Sequence, residues 1–269
     1  MKNTFGFIGC GNMGGALAEA VAKTVLGDNI MVCDSAYDKA ERLGRKCGMQ
    51  VSDLASIVKS CQYIFLAVKP QGAESLFASI RPLLQKRKDP FVLISMLAGT
   101  SISTLEALAG CSCAIIRIMP NTPVAVGEGM ILYTANDSVS QADLECFISA
   151  LSLAGKTDAI EETLIDAASV ISGCGPAFMY MFLEAMVTAG EKLGLDGAQA
   201  RTYAQQTMIG AATLAASSPE TLEALRVKVC SPGGSTIEGV KKFQSLGLSD
   251  TVEQALGASY RRTLELGKK

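Results

Sequence analysis

Phe5-Gly6-Phe7-Ile8-Gly9-Cys10-Gly11-Asn12-Met13-Gly14 is the stretch that decides the fold. A short apolar run passes into Gly-x-Gly-x-x-Gly and then into a helical pattern over 13–25. The three glycines do different things. Gly9 permits the tight turn, Gly11 lets backbone amides approach a pyrophosphate, and Gly14 lets helix and strand pack closely. The start of the helix adds free N–H groups and the positive end of its dipole. The acidic Asp34 stands at the end of a second apolar run, 30–33. That context predicts a dinucleotide site at Gly9, Cys10, Gly11, Asn12, Met13 and Gly14. The Asp34 carboxylate suits a ribose 2′-hydroxyl and repels a 2′-phosphate, so it leans toward NADH. Lys39 and Arg42 lie farther along, and Lys39 keeps NADPH open as the alternative.

Outward from this motif, strand-like runs at 4–9, 30–33, 62–68, 91–95, 114–118 and 129–133 alternate with helical patterns. The alternation predicts a mostly parallel sheet with helices on both faces. After about Glu161 strand-like runs vanish and helix formers dominate. The expected fold is therefore an α/β Rossmann-type N-terminal domain, residues 1–161, followed by an all-α C-terminal domain, residues 162–269. Ligands in such sheets sit beyond the carboxyl ends of strands. Val68, Lys69 and Pro70 end one strand and are placed for ribose or phosphate. Ala98 and Gly99 follow the next, where a flat nicotinamide fits. Asn121, held between Pro120 and Pro123, offers an amide to a carboxamide or a substrate.

The 269 residues are 49% apolar and 19% charged, which excludes a disordered chain. With 24 basic against 26 acidic residues, nucleic acid is not an expected partner. The unbroken apolar run Ala177–Leu183 is too short for a bilayer needing about 20 residues, so no membrane partner is expected. No signal peptide is read in Met1-Lys2-Asn3-Thr4, and nine scattered cysteines read as reduced thiols, so the expected location is cytoplasmic. The sequence has no histidine, which excludes a Ser-His-Asp triad and histidine-ligated metal; no metal site is expected. The helical half is rich in small and apolar residues such as Ala185, Met186, Ala211 and Ala212, and these faces suit a partner copy.

Two loops in that half carry unusual glycine. Ser172-Gly173-Cys174-Gly175-Pro176-Ala177 opens the longest helix. Cys230-Ser231-Pro232-Gly233-Gly234-Ser235-Thr236 opens another, gathering amides and hydroxyls at one helix start. Such a terminus cradles a carboxylate, although Ser and Thr also cap helices in the ordinary way.

With these loops, Met119-Pro120-Asn121-Thr122-Pro123 and Ala67-Val68-Lys69-Pro70, the chain resembles the pyrroline-5-carboxylate reductases over essentially its whole length. The resemblance implies a small-molecule substrate, reduction of 1-pyrroline-5-carboxylate to proline with NADH or NADPH, and a helical dimerisation domain. It also implies a homodimer with active sites shared between subunits, and dimers assembled into larger rings. By motif, Thr236 hydrogen-bonds the ring nitrogen and is the catalytic residue. Ser231 and the amides of Gly233, Gly234 and Ser235 hold the carboxylate. Lys69, Pro70, Ala98 and Asn121 lie along the cofactor. Three positions depart from the family pattern: Cys174 for Ser, Phe178 for Tyr, and Val227 for an acidic residue. A β-hydroxyacid dehydrogenase is excluded, since its lysine needs an Asn one helical turn away and none follows Asn136. The remaining alternatives are a reductase of the six-membered imine and a non-catalytic dinucleotide-sensing module.

Overall fold

A computed structural model describes residues 4–267. Eight strands form one sheet: β1 (Phe5–Ile8), β2 (Ile30–Cys33), β3 (Gln50–Val51), β4 (Tyr63–Leu66), β5 (Val92–Ser95), β6 (Ala114–Pro120), β7 (Gly129–Ala135) and β8 (Gly155–Ala159). Their order is β3-β2-β1-β4-β5-β6-β7-β8. All neighbours are parallel except β6 and β7. The chain reverses direction across the sheet after β3, returning through β4 on the far side of β1. Loops diverge at that point and leave a crevice beyond the carboxyl ends of β1 and β4.

The helices of this unit are α1 (Asn12–Val21), α2 (Tyr37–Cys47), α3 (Leu54–Ser60), α4 (Ala73–Leu84), α5 (Ile102–Ala109), α6 (Gln141–Ala150) and α7 (Glu162–Ser172). Burial of strands on both faces explains their near-continuous apolar sequences: β1, β4 and β5 are buried at every position. One face packs Phe5, Phe7, Tyr63 and Phe65 against α1 and α6 residues. The Phe7 and Phe65 rings stack with centroids 4.3 Å apart. The other face packs Ile8, Ile64, Leu66 and Leu93 with Phe77, Ile80 and Leu105.

Helix α7 is fastened to this sheet. Arg117, 3% exposed on β6, donates to Glu162 at 3.2 Å and to Asp166 at 2.7 Å. Glu162 also accepts the Ile102 N–H at 2.7 Å, so one carboxylate joins the start of α5 to the start of α7. The compact sheet unit runs to Pro176 and includes the last helical turns from Ser259.

A second compact unit spans Ala177–Ala258. It contains most of α8 (Gly175–Lys192), then α9 (Gly197–Ser217), α10 (Leu222–Val229), α11 (Ser235–Ser245) and the start of α12 (Leu248–Gly267). Among its described residues only Ala200 and Ala204 are buried. Gly190 lets α8 approach α9, since a Cβ there would lie 3.1 Å from that of Ala200. Phe182 and Phe243 meet with ring centroids 6.1 Å apart. Much of the remaining apolar surface faces outward, including Met179, Met181, Tyr203, Ile209 and Leu214. These helices have almost no core of their own. Residues 162–192, taken as one helical run, are also apolar enough by length and composition to cross a bilayer. A count of unbroken apolar residues overlooks this, because isolated Gly, Thr and Glu interrupt the run without making it polar.

Candidate active site

The crevice is built first by glycine. Gly9 sits at φ +106°, in the region side chains avoid, and a Cβ on it would meet the Ala67 carbonyl oxygen at 2.5 Å. A Cβ on Gly14 would lie 2.2 Å from the Gly9 oxygen and 2.7 Å from the Ala67 Cβ. Gly11 differs from both, because among the described residues nothing stands within 4 Å of the place its Cβ would occupy. Its missing side chain therefore leaves room for something outside the chain. Gly11 is also the residue preceding α1, and no side chain caps that helix. The first intrahelical bond runs from the Gly15 N–H to the Gly11 carbonyl at 2.8 Å, leaving the earlier amides directed at the open side. An uncapped helix start behind an open glycine fits the pyrophosphate of a dinucleotide.

Asp34 stands at the end of β2, behind the glycine-rich turn. Its Oδ2 accepts the Cys10 N–H at 2.7 Å and its Oδ1 accepts the Ala36 N–H at 2.8 Å. Oδ1 also accepts the Ser35 hydroxyl at 3.4 Å, so Oδ2 is the oxygen that keeps a further lone pair for a hydroxyl. Burial, with Asp34 beside it, pushes the Cys10 thiol up to about 12, so this cysteine is an uncharged part of the wall.

The crevice has a volume of about 510 Å³ and is lined by Gly11, Asn12, Met13, Gly14, Lys39, Val68, Lys69, Pro70, Met96, Met119 and Pro120, together with Ala67. Gly11–Gly14 and the Val68–Pro70 segment expected from sequence thus line one space, whereas Gly9, Cys10 and Asp34, expected with them, do not line it. Ala98 and Gly99 do not line it. They form the turn after β5, closed by the Thr100 N–H on the Leu97 carbonyl at 3.2 Å, with Gly99 at φ +69°. Met96 faces the crevice from the same segment. Met119 and Pro120 line it in place of Asn121. All three lie within one residue of a strand's carboxyl end, Met119 and Pro120 inside β6 and Met96 just after β5, but being apolar they do not stand out as ligands in the sequence.

Asn121 is turned inward and is 9% exposed. Its Nδ2 donates to the Ser172 carbonyl at 2.9 Å, and its Oδ1 accepts the Met130 N–H at 2.8 Å.

In the helical unit, Gly233 takes φ +72°, and the Gly234 N–H bonds the Ser231 carbonyl at 2.9 Å. The turn delivers the chain to α11 with Gly234 as its cap residue and no side chain capping the helix. The ordinary capping explanation for Ser231, Ser235 and Thr236 therefore does not hold here. Ser231, Ser235 and Thr236 are all exposed, beside free amides at a positive helix end. Val227 holds the start of this loop through its backbone, its carbonyl accepting the Cys230 N–H at 2.9 Å. That contact does not depend on the side chain that departs from the family pattern. A separate cleft of about 450 Å³ lies between α8 and α9, lined by Tyr180, Glu184, Arg201 and Gln205 among others.

Comparisons with known proteins agree with both halves. Residues 162–266 match the family described as pyrroline-5-carboxylate reductase dimerisation. Residues 4–99 match NADP oxidoreductase, coenzyme F420-dependent. The pyrroline-5-carboxylate reductase of Aquifex aeolicus is 34% identical over 97% of this chain and 96% of its own length. That of Escherichia coli is 33% identical over the full length of both. Among solved structures, Plasmodium falciparum pyrroline carboxylate reductase with NADP bound superposes with a TM-score of 0.88 at 30% identity, covering 99% of this chain and 98% of that one. The reductase from Coxiella burnetii gives 0.89 at 29% identity, covering 99% of each.

Proposed function

We propose, from the premise that this chain belongs to the pyrroline-5-carboxylate reductase family, a division of labour between its two units. The protein is an oxidoreductase that reduces 1-pyrroline-5-carboxylate to L-proline at the expense of NAD(P)H. It associates with copies of itself through its helical region, residues 162–266. In this reading residues 1–161 form the cofactor-binding domain and residues 162–269 the substrate-binding and dimerisation domain.

The cofactor, when bound, supplies a hydride to the imine carbon. The chain's own residues bind and orient. Amides at Gly11, Asn12 and Met13 receive the pyrophosphate, and Asp34 receives the ribose hydroxyls. Val68, Lys69, Pro70 and Met96 form the remaining wall, and the Ala98–Gly99 turn follows Met96 in the chain. Ser231 and the amides of Gly233 and Ser235 hold the substrate carboxylate, while the Gly234 N–H is committed to the Ser231 carbonyl. The Thr236 hydroxyl oxygen accepts the N–H of the protonated imine. A protonated imine becomes the neutral amine when hydride reaches its carbon, so no side chain need give up a proton. This accounts for a site with no histidine. The uncapped start of α11, with three hydroxyls beside it, is the observation that carries the assignment.

The outward apolar faces of α8 and α9 support a partner copy as their cover. We read the active site as shared in that dimer, with the Ser231–Thr236 loop serving the partner's cofactor crevice, and dimers as units of a larger ring. The nine free cysteines favour a reducing, cytoplasmic location. Asp34 favours NADH over NADPH.

Replacing Thr236 tests the mechanism. Thr236→Ala is expected to lower kcat by about tenfold or more, with the Kd for NADH unchanged in a fluorescence titration. Thr236→Ser, which keeps the hydroxyl, is expected to recover most of the loss. Unchanged kinetics in Thr236→Ala would remove Thr236 from the mechanism.

A further inference from the structure

We propose that Asn121 is a positioning residue that ties the crevice wall to the end of α7, and that it acts on the reaction through that tie and not by touching the cofactor. The inference rests on the reductase reading above. Its basis is the place of one buried amide among three backbone segments.

Asn121 follows Pro120, the last residue of β6, and Pro120 pairs in register with Ile131 of β7. Proline has no N–H, so the ladder between these strands cannot continue through its nitrogen. The Asn121 side chain continues it: Oδ1 takes the Met130 N–H at 2.8 Å. The other end of the same amide donates to the carbonyl of Ser172 at 2.9 Å. Ser172 ends α7, and carbonyls in a last helical turn lack partners within the helix. Gly173 does not close that end in the usual left-handed way, having φ −80° and ψ −42°. The Asn121 amide supplies the bond that a left-handed glycine cap arranges elsewhere.

These bonds link places that matter to the reaction. Met119 and Pro120, just before Asn121, line the crevice. Just after Ser172, the turn Gly173–Cys174 leads into α8, which from Ala177 onward belongs to the second unit. Arg117 fixes α7 at its start, and Asn121 fixes it at its end. One N–H and one lone pair of the amide remain, but at 9% exposure and outside the crevice lining the side chain faces the protein and not the cofactor space. A leucine or alanine there would leave the Met130 N–H and the Ser172 carbonyl both unpaired.

Asn121→Asp separates the two bonds. A carboxylate still accepts from Met130, preserving the crevice side, but it faces the Ser172 carbonyl with no hydrogen to give. Expected results are a Kd for NADH within about twofold of the parent, a kcat lowered by about tenfold or more, retained hydrogen-exchange protection at Met130, and faster exchange at Gly173, Cys174 and Gly175. Asn121→Ser, a small polar replacement, is measured alongside in case the aspartate variant does not fold. A Kd for NADH weakened more than about tenfold with exchange at 173–175 unchanged would make Asn121 a cofactor ligand and overturn the proposal. Unchanged kcat in both variants would overturn it as well. If the parent protein itself failed to oxidise NADH with the imine, the reductase reading would fall first, and the exchange data would still report on the tie.

Discussion

Asp34 and Cys10 are joined by a 2.7 Å hydrogen bond from the Cys10 N–H to Oδ2, so the carboxylate at the end of β2 fixes the glycine-rich turn. Its other oxygen fixes Ala36 at the start of α2. In the proposed site, cofactor choice and loop order are coupled in this one side chain. An aspartate here supplies charge and two acceptors, while a serine supplies neither the charge nor the reach.

Asp34→Ser is expected to move the ratio of NADPH to NADH affinity toward NADPH by about tenfold, about 1.4 kcal/mol. The Cys10 and Ala36 amides lose their acceptors in that variant, so a loss of about 1–3 kcal/mol in folding stability accompanies the switch. Parallel fluorescence titrations with both cofactors, and a urea melt, measure the two effects. An unaltered affinity ratio would sink the specificity role of Asp34.

Gly11 and Gly14 separate binding from folding. Alanine at Gly11 meets nothing within 4 Å, whereas at Gly14 it collides with the Gly9 oxygen at 2.2 Å. Gly11→Ala is expected to melt like the parent, with affinity for NADH weakened by about tenfold or more. Gly14→Ala is expected to be recovered poorly or unfolded, because neither the Gly9 backbone nor the Ala67 methyl can yield cheaply. Normal NADH binding in Gly11→Ala would show that the open side of the turn does not face the pyrophosphate.

The uncovered helices give a test of assembly. Met181 is 66% exposed on α8, and a charge there costs the isolated chain little. Met181→Glu is expected to shift the protein from dimer or larger toward monomer in sedimentation. Turnover should fall by about tenfold or more while NADH still binds, since the crevice belongs to the sheet unit. A monomer with full turnover would contradict the shared site.

Alkaline pH probes the core. Burial pushes the Cys61 thiol up to about 12 from an ordinary 9.0, and burial likewise raises Tyr63. Such groups hold their protons in the folded chain after the unfolded chain has lost them. For Cys61 the stabilising effect is intact below about pH 9 and is lost as pH rises toward about 12, by up to about 1.4 kcal/mol per pH unit, and Tyr63 adds to the fall only above its ordinary value of 10.0. Urea midpoints are expected to hold steady near neutral pH and to fall above about pH 9. A Cys61→Ala variant should show a shallower fall; an identical slope would remove Cys61 from the account.

Much of this molecule is legible in the sequence because the physics is local. The run from Phe5 to Gly14 announces strand, turn and helix at once, and the β-branched strands buried on both faces stand out as apolar blocks. Strand β8, Gly155–Ala159, escapes that reading, since Gly-Lys-Thr-Asp-Ala at a sheet edge is mostly polar. Strand β3 is two residues long and has no pattern to show. Arg117 sits within an apolar strand, and its partners Glu162 and Asp166 come from 45 and 49 residues away; long-range pairing leaves no local trace. Asn121 is conspicuous for the right reason, an amide held between prolines, yet its partner is a helix end 51 residues on. The uncapped start of α11 is half legible: the residues are visible, but whether a serine caps depends on a backbone angle that composition does not encode.

The most direct test of the central claim is to mix the purified protein with 1-pyrroline-5-carboxylate and NADH, and separately NADPH, following loss of reduced cofactor and appearance of L-proline together. The account predicts one proline formed for each cofactor oxidised, faster with NADH than with NADPH. Cofactor binding with no imine-dependent oxidation and no proline would contradict it.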